Sequence, residues 1–188
     1  MRQFAVIGLG RFGSSVANTL SKMGKEVIGI DSREQIVQDM SETISQAICV
    51  DARDDKAMKA LGINNVDIAV VAIGDLEASI LITLMLKEMG IKDIVAKAIT
   101  EDHKKVLEKI GATKIVMPER DMGQRIANAL ISPQVIDHIH LSADSSIVEI
   151  VAPKEFVGKS LRDLDVRAKY GVNVIAIKRK SKELSMKG

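Results

Sequence analysis

The chain holds one cysteine in 188 residues, Cys49. A lone thiol closes no internal disulfide, and its presence points to a reducing compartment. A chain of this length buries roughly 70% of its unfolded surface and needs no such staple. Aromatic residues make up only 2%, with no tryptophan, which argues against the stacking platforms of single-stranded nucleic-acid binders. Charge of one sign is also missing: 27 basic against 25 acidic residues leave a net +2. No basic footprint for nucleic acid results, so no nucleic-acid partner is expected. No apolar run approaches the roughly 20 residues that cross a bilayer. Residue 4 already falls in the first predicted strand, so no signal segment is expected. These absences predict a soluble, cytoplasmic protein, and they are compatible with docking on a membrane protein.

What is present is an alternation. Short β-branched runs at 3–8, 26–31, 46–50, 67–73, 93–98 and 114–117 read as strands. Helical patterns lie between them at 12–23, 33–42, 54–61, 76–90 and 101–110, with a sixth near 120–131. Strand and helix alternating at this pitch imply right-handed βαβ crossovers and a parallel sheet. The strand cores are continuously apolar, as when helices cover both faces. Gly24, Gly62, Gly90 and Gly111 each follow a helix, where a left-handed cap residue belongs, and Pro133 is placed to end the sixth helix.

After residue 133 the pattern changes. Residues 138–152 read as two strands joined by a polar turn at Ala143–Ser145. Ser160 is placed to cap a short helical turn ending near Leu164, and 172–179 reads as another strand. The predicted fold is therefore α/β. A Rossmann-like six-stranded parallel sheet with helices on both faces occupies 1–133. A small α+β subdomain, incomplete as it stands, occupies 134–188.

The chemistry begins at "VIGLGRFGSS", where Gly8, Gly10 and Gly13 form G-x-G-x-x-G at a strand-to-helix junction. Gly8 permits the tight turn, Gly10 lets a phosphate approach the backbone, and Gly13 lets helix and strand pack closely. The helix N-terminus then offers free N–H groups and a positive dipole end. Asp31 ends the second strand, where a carboxylate accepts hydrogen bonds from both ribose hydroxyls. It argues against a 2′-phosphate; Arg33 nearby weakens that exclusion, although an exposed arginine at a helix start is the simpler reading.

Ligands of open α/β sheets sit at the carboxyl ends of strands. The third strand ends in Asp51, placed for adenine or its ribose, or else for capping the helix near Asp54. The fourth ends in Gly74 and Asp75, the latter a possible cap. The fifth carries Lys97, a candidate phosphate partner or a snorkelling edge residue. The sixth leads to Glu119, which also suits the first turn of a helix. Arg11 sits inside the glycine turn, between Gly10 and Phe12. It can fork onto terminal phosphates, of a triphosphate or toward the second half of a dinucleotide, or simply face solvent.

Equipment for catalysis is sparse. His103 lies in a charged helix start (TEDHKK) and reads as solvated. His138 and His140 alternate on one strand and lack a convincing third metal ligand. Cys49, inside a strand, reads as a core thiol. Some 50 residues after the Rossmann unit cannot build an ordinary substrate domain, so no enzyme is expected.

The segments FAVIGLGRFGSSVA, VIGID, VVAIGDLEASILITLMLKEMG, VAKA, VLEKIGATKIVMPERDMGQRIA and VRAKYGVNVIAIKR together resemble the RCK family, in its KtrA/TrkA-type branch. That branch supplies cytosolic subunits of bacterial potassium-uptake systems. The resemblance implies an N-terminal RCK domain to about 133 and a partial C-terminal RCK subdomain. It implies a homodimer assembling into an octameric ring beneath a membrane potassium-translocating subunit of the KtrB/TrkH type. It implies ATP and ADP binding, with NAD(H) a possible ligand, that shifts the ring's shape without turnover. By position, Gly8, Gly10 and Gly13 fall on the phosphate turn, Arg11 on the γ-phosphate, Asp31 on the ribose, and Asp51 and Ala52 on adenine. Lys97 falls near the phosphates. Glu119 falls near the γ-phosphates and a divalent cation at the dimer interface. Phe12, Ser32, Arg33, Ile73 and Gly74 complete the candidate contact set. Members of the family continue past "AIKR" with further strands and a helix.

Helix 76–90 is apolar nearly all round, with Ile80, Leu81, Ile82, Leu84, Met85 and Leu86, so burial on two sides is expected: one on the sheet, one on a second subunit. The helix after Glu119 offers Met122, Ile126, Ala129 and Leu130 to a neighbour. An NAD-dependent oxidoreductase and an NAD(H)-sensing redox regulator are the competing readings.

Overall fold

The structure is a computed structural model and describes residues 2–131, 135–142 and 145–179. Two compact units divide the chain, Met1–Gln124 and Arg125–Gly188.

The first unit is an open, fully parallel six-stranded sheet. Its strands are β1 (Gln3–Ile7), β2 (Glu26–Asp31), β3 (Gln46–Cys49), β4 (Ile68–Val71), β5 (Asp93–Lys97) and β6 (Lys114–Val116). The order is β3-β2-β1-β4-β5-β6. Helices α1 (Arg11–Lys22), α2 (Glu34–Ser41), α3 (Asp55–Ala60), α4 (Leu76–Glu88) and α5 (Glu101–Lys109) form the crossovers, and α6 (Pro118–Ile131) follows β6. Every predicted strand and helix of this unit is present. Strand order reverses between β1 and β4, which opens a crevice at the carboxyl ends of those strands.

Alternation along the strands builds a core on each face. Val6, Val27 and Val70 pack with Ala17 and Met40 under α1 and α2. Ala5, Ile7, Ala69, Val71 and Ile94 pack with Met58, Ile82, Leu86 and Leu107 under α3, α4 and α5. Together these side chains are almost fully withdrawn from water, and each buried valine, isoleucine, leucine or methionine among them stabilises by about 1.5–3 kcal/mol. Gly29 keeps the first core closed, since a Cβ there would lie 2.5 Å from Ile44 Cδ1. The four glycines predicted to end helices all have positive φ.

Two sequence expectations are corrected here, and one of the two readings of Asp51 is removed. Cys49 is exposed, because β3 is an edge strand and its last residue faces outward. His103 is buried to 2% exposure: it lies one turn before Leu107 on the inward stripe of α5, among residues that are charged only on the outer face. Burial lowers its pKa, its Nδ1 accepts the Ile99 N–H at 3.4 Å, and its Nε2 has no partner. Asp51 does not cap α3; Asp54 does, accepting from the Lys56 and Ala57 amides.

Helix α4 buries Ile82, Met85 and Leu86 with Ser79 and Thr83, and leaves Leu76, Leu81 and Leu84 exposed. Helix α6 begins on Pro118, whose missing N–H is harmless in a first turn. It buries no side chain; Met122, Ile126 and Leu130 are all exposed.

In the second unit β7 (Val135–Ser142) and β8 (Ser145–Ile150) pair antiparallel. His138 and His140 lie on β7 opposite Val148 and Ser146. A short 3-10 turn (Lys154–Phe156), α7 (Leu161–Leu164) and α8 (Val166–Tyr170) follow. Ser160 caps α7 through a capping box with Asp163. The predicted strand at 172–179 is a further correction: these residues form no regular element. They carry the apolar alternation of a strand, but a strand needs a ladder partner, and among the described residues they pair with none. Pro133, Ala143 and residues 180–188 lie outside the described residues.

Candidate functional site

The glycine turn has the geometry its spacing predicts. Gly8 has φ +89°, a conformation that L side chains rarely adopt, and its N–H donates to Ile30 O at 2.8 Å. A Cβ on Gly13 would stand 1.8 Å from Gly8 O, whereas one on Gly10 would meet nothing within 4 Å. Gly13 therefore serves packing, and Gly10 leaves an open approach to the backbone. Gly10 is also the N-cap of α1 and has no side chain to cap it. Helices α3, α4 and α5 are closed by Asp54, Asp75 and Thr100. The first-turn N–H groups of α1 face the crevice without such a cap, the arrangement that holds an anion. Asp75 thus has the capping role that was one of its two readings.

On one side of the turn lie the ends of β2 and β3. Asp31 is 6% exposed. Its Oδ2 accepts the Leu9 N–H at 2.8 Å, which ties the carboxylate to the glycine turn itself. The Arg33 guanidinium forks onto it, Nε to Oδ1 and Nη2 to Oδ2, both at 2.9 Å. Burial pushes this carboxyl up, but the Arg33 side chain and the Leu9 and Arg33 amides outweigh it and hold it below its ordinary value. Arg33 is therefore more than an exposed helix-start residue. Asp51 repeats the arrangement at the end of β3: Arg53 forks onto it, with Nη2 2.6 Å from Oδ2. Those bonds lower its carboxyl to about 2. Ala52, between them, is buried; Ser32, between Asp31 and Arg33, is exposed and its carbonyl lies 3.6 Å from Cys49 Sγ.

On the other side lie β4, β5 and β6. Ile73 borders the turn, its Cγ1 3.0 Å from where a Gly8 Cβ would stand, and Gly74 has open space around it. Lys97 is mostly buried and donates to Glu119 Oε1 at 2.5 Å, while Glu119 is largely exposed. Lys97 thus bridges to the first turn of α6 rather than snorkelling. Hydrogen bonding to Lys97 is the main cause that lowers the Glu119 carboxyl, and the charge of Arg11 adds to it. Arg11 is exposed, and its side chain makes no hydrogen bond or ion pair among the described residues. Beside this group Arg120 pairs with Glu101. Phe12 is half-buried on the first turn of α1.

The turn thus has Asp31 and Asp51 on one flank and Arg11, Lys97 and Glu119 on the other. The two D-x-R forks are the features that sequence reasoning missed. Their signal was in the chain, as DSR at 31–33 and DAR at 51–53.

Fold and turn together define a class: an open, doubly wound α/β domain bearing the dinucleotide-binding fingerprint. Residues 4–118 match the TrkA-N domain family and residues 146–187 the TrkA-C domain family. The chain belongs to the TrkA-N family. It is 50% identical over 179 residues to Ktr system potassium uptake protein C of Bacillus subtilis (strain 168), covering 95% of this chain and 81% of that one. It is 46% identical to Ktr system potassium uptake protein A of the same organism, covering 94% and 80%. Among solved structures it is similar to the GsuK channel bound to ADP, at 26% identity and TM-score 0.57, over 70% of this chain and 34% of that one. The TrkA-N domain of the inner membrane protein ybaL from Escherichia coli shares the fold, at 19% identity and TM-score 0.62, over 69% of this chain and 96% of that domain.

Among the described residues no helix is long and apolar enough to cross a membrane, and no three His, Cys, Asp or Glu side chains are grouped to hold a metal ion.

Proposed function

We propose that this chain is a cytoplasmic, nucleotide-binding regulatory subunit of a membrane potassium transporter, without catalytic turnover. The observation that carries the reading is the uncapped, glycine-lined N-terminus of α1 with Arg11 beside it. The names of its relatives supply the potassium-uptake setting. Phosphates lie over Gly8, Gly10 and Gly13, the ribose meets Asp31, and adenine lies toward Asp51, Ala52 and Ser32. Ile73 and Gly74 floor the crevice. Arg11 and Lys97 face the terminal phosphates. A γ-phosphate gives Arg11 an anion that ADP does not offer, so ATP and ADP favour different conformations; coupling of about 1–3 kcal/mol between two states is typical. NAD(H) fits the same crevice as an alternative ligand.

Glu119 alone does not make a cation site. Its Oε1 is taken by Lys97, and one carboxylate is too few ligands for a divalent ion, so no step here runs through a metal. The exposed faces of α4 and α6 carry the assembly part of the proposal: a homodimer that builds an octameric ring at the inner face of the membrane, against the potassium-translocating subunit. Sedimentation at micromolar concentration tests it, and a monomer would contradict it. For the ligand, thermal shifts with ATP, ADP, NAD and NADH at equal concentration rank the candidates. The reading predicts the largest shifts for ATP or ADP; no shift with any of them would contradict it.

A further inference from the structure

Asp31 has no acceptor position left. An ionised carboxylate offers about four lone-pair sites, and four donors occupy them here. Oδ1 takes the Arg33 N–H at 3.0 Å and Arg33 Nε at 2.9 Å. Oδ2 takes the Leu9 N–H at 2.8 Å and Arg33 Nη2 at 2.9 Å. The two amides are backbone groups fixed by the turn and by the start of α2. The two guanidinium donors are on a side chain that is 60% exposed. Each oxygen therefore has one fixed partner and one removable partner.

We propose that Arg33 is a displaceable latch that occupies the two acceptor positions a ribose cis-diol uses. When Arg33 withdraws, one site opens on each oxygen, as the two hydroxyls of one ribose require, and the Leu9 and Arg33 amides still hold the carboxylate in place. A nucleotide with a free diol binds only by displacing Arg33, so the latch sets its affinity. A nucleotide without ribose hydroxyls leaves the latch closed. Arg33 is thus a positioning residue acting through Asp31. The proposal rests on the nucleotide-binding reading of this site.

The test is titration calorimetry of the full chain with ADP and with 2′,3′-dideoxy-ADP, on the wild type, Arg33→Ala and Arg33→Lys. Arg33→Ala is expected to tighten ADP by roughly three- to fivefold, the upper worth of an exposed pair. It should leave dideoxy-ADP within about twofold, well inside one tenfold step of affinity. Arg33→Lys, which keeps the charge but cannot fork, should fall between. A change of equal size for both ligands would mean that Arg33 acts by general charge or folding, and would overturn the latch. Weaker ADP binding in Arg33→Ala would overturn it also, by making Arg33 a direct ligand contact. If neither ligand binds the folded wild type or either folded variant, the nucleotide reading itself fails and the latch falls with it; binding with an unchanged ligand ratio defeats the latch alone.

Discussion

The two flanks of the glycine turn handle charge in opposite ways. At the ends of β2 and β3 the arginines are paired: Arg33 is forked onto Asp31 and Arg53 onto Asp51. On the side of β5 and β6 Arg11 stands without a bonded partner among the described residues, and Lys97 shares one exposed carboxylate. The proposed nucleotide brings its hydroxyls to the flank where both carboxylates are already paired, and its phosphates to the flank where Arg11 has no bonded partner among the described residues. A ligand with a neutral, hydroxyl-bearing end and an anionic end matches this division. The flank of β2 and β3 also grades inward. Asp31 and Asp51 sit in the same D-x-R frame, but Asp31 is buried and bound to the turn while the Asp51 side chain is 48% exposed. One motif thus performs an anchoring role in one strand and a surface role in its neighbour.

The sharpest way to break this picture is at the turn that separates the flanks. Gly13→Ala forces a Cβ into Gly8 O, a backbone atom that cannot step aside. It should cost about 3 kcal/mol or more, seen as a large fall in Tm. Gly10→Ala meets open space and should change stability by under about 1 kcal/mol while impairing nucleotide binding. Equal stability losses would mean that the two glycines do not divide packing from phosphate approach.

Next in size is the pair of carboxylates. Asp31→Ala leaves the buried Leu9 N–H without an acceptor and should cost about 2–3 kcal/mol. Asp51→Ala removes an exposed pair and should cost under about 1 kcal/mol. Urea unfolding of the two variants compares them directly, and a larger loss at Asp51 would reverse the proposed gradient.

A smaller effect is the dependence on acid. Both carboxyls lie below their ordinary value when folded. Their contribution is therefore present above the unfolded value, about pH 4, and is lost as pH falls through the folded values, about 2 for Asp51. Thermal melts between pH 5 and 2 should show stability falling with acidification. Asp51→Asn should flatten that slope more than Asp31→Asn, since the slope follows the size of the shift and the larger one is at Asp51.

Much of this was legible in the sequence because it depends on local pattern. Apolar runs at the βαβ pitch give strands and helices, and G-x-G-x-x-G followed by Asp31 marks the turn and its carboxylate. What was hidden depends on tertiary placement. The exposure of Cys49 follows from β3 being the sheet edge, which strand order decides and a run such as QAICV does not. His103 was masked by charged neighbours, although its spacing to Leu107 put it on the inward stripe of α5. The forks of Arg33 and Arg53 need side-chain geometry that D-x-R does not specify. Residues 172–179 have a strand's alternation, but strand formation is a property of a pair.

The central claim is that Arg11 reads the terminal phosphate of a bound nucleotide. Titration calorimetry of ATP and ADP against the wild type and Arg11→Ala tests it most directly. A lost charge-assisted hydrogen bond is worth about 1.5–3 kcal/mol, so Arg11→Ala should weaken ATP roughly ten- to a hundredfold and ADP far less. Equal losses for the two nucleotides would contradict the claim and make NAD the better ligand for this crevice.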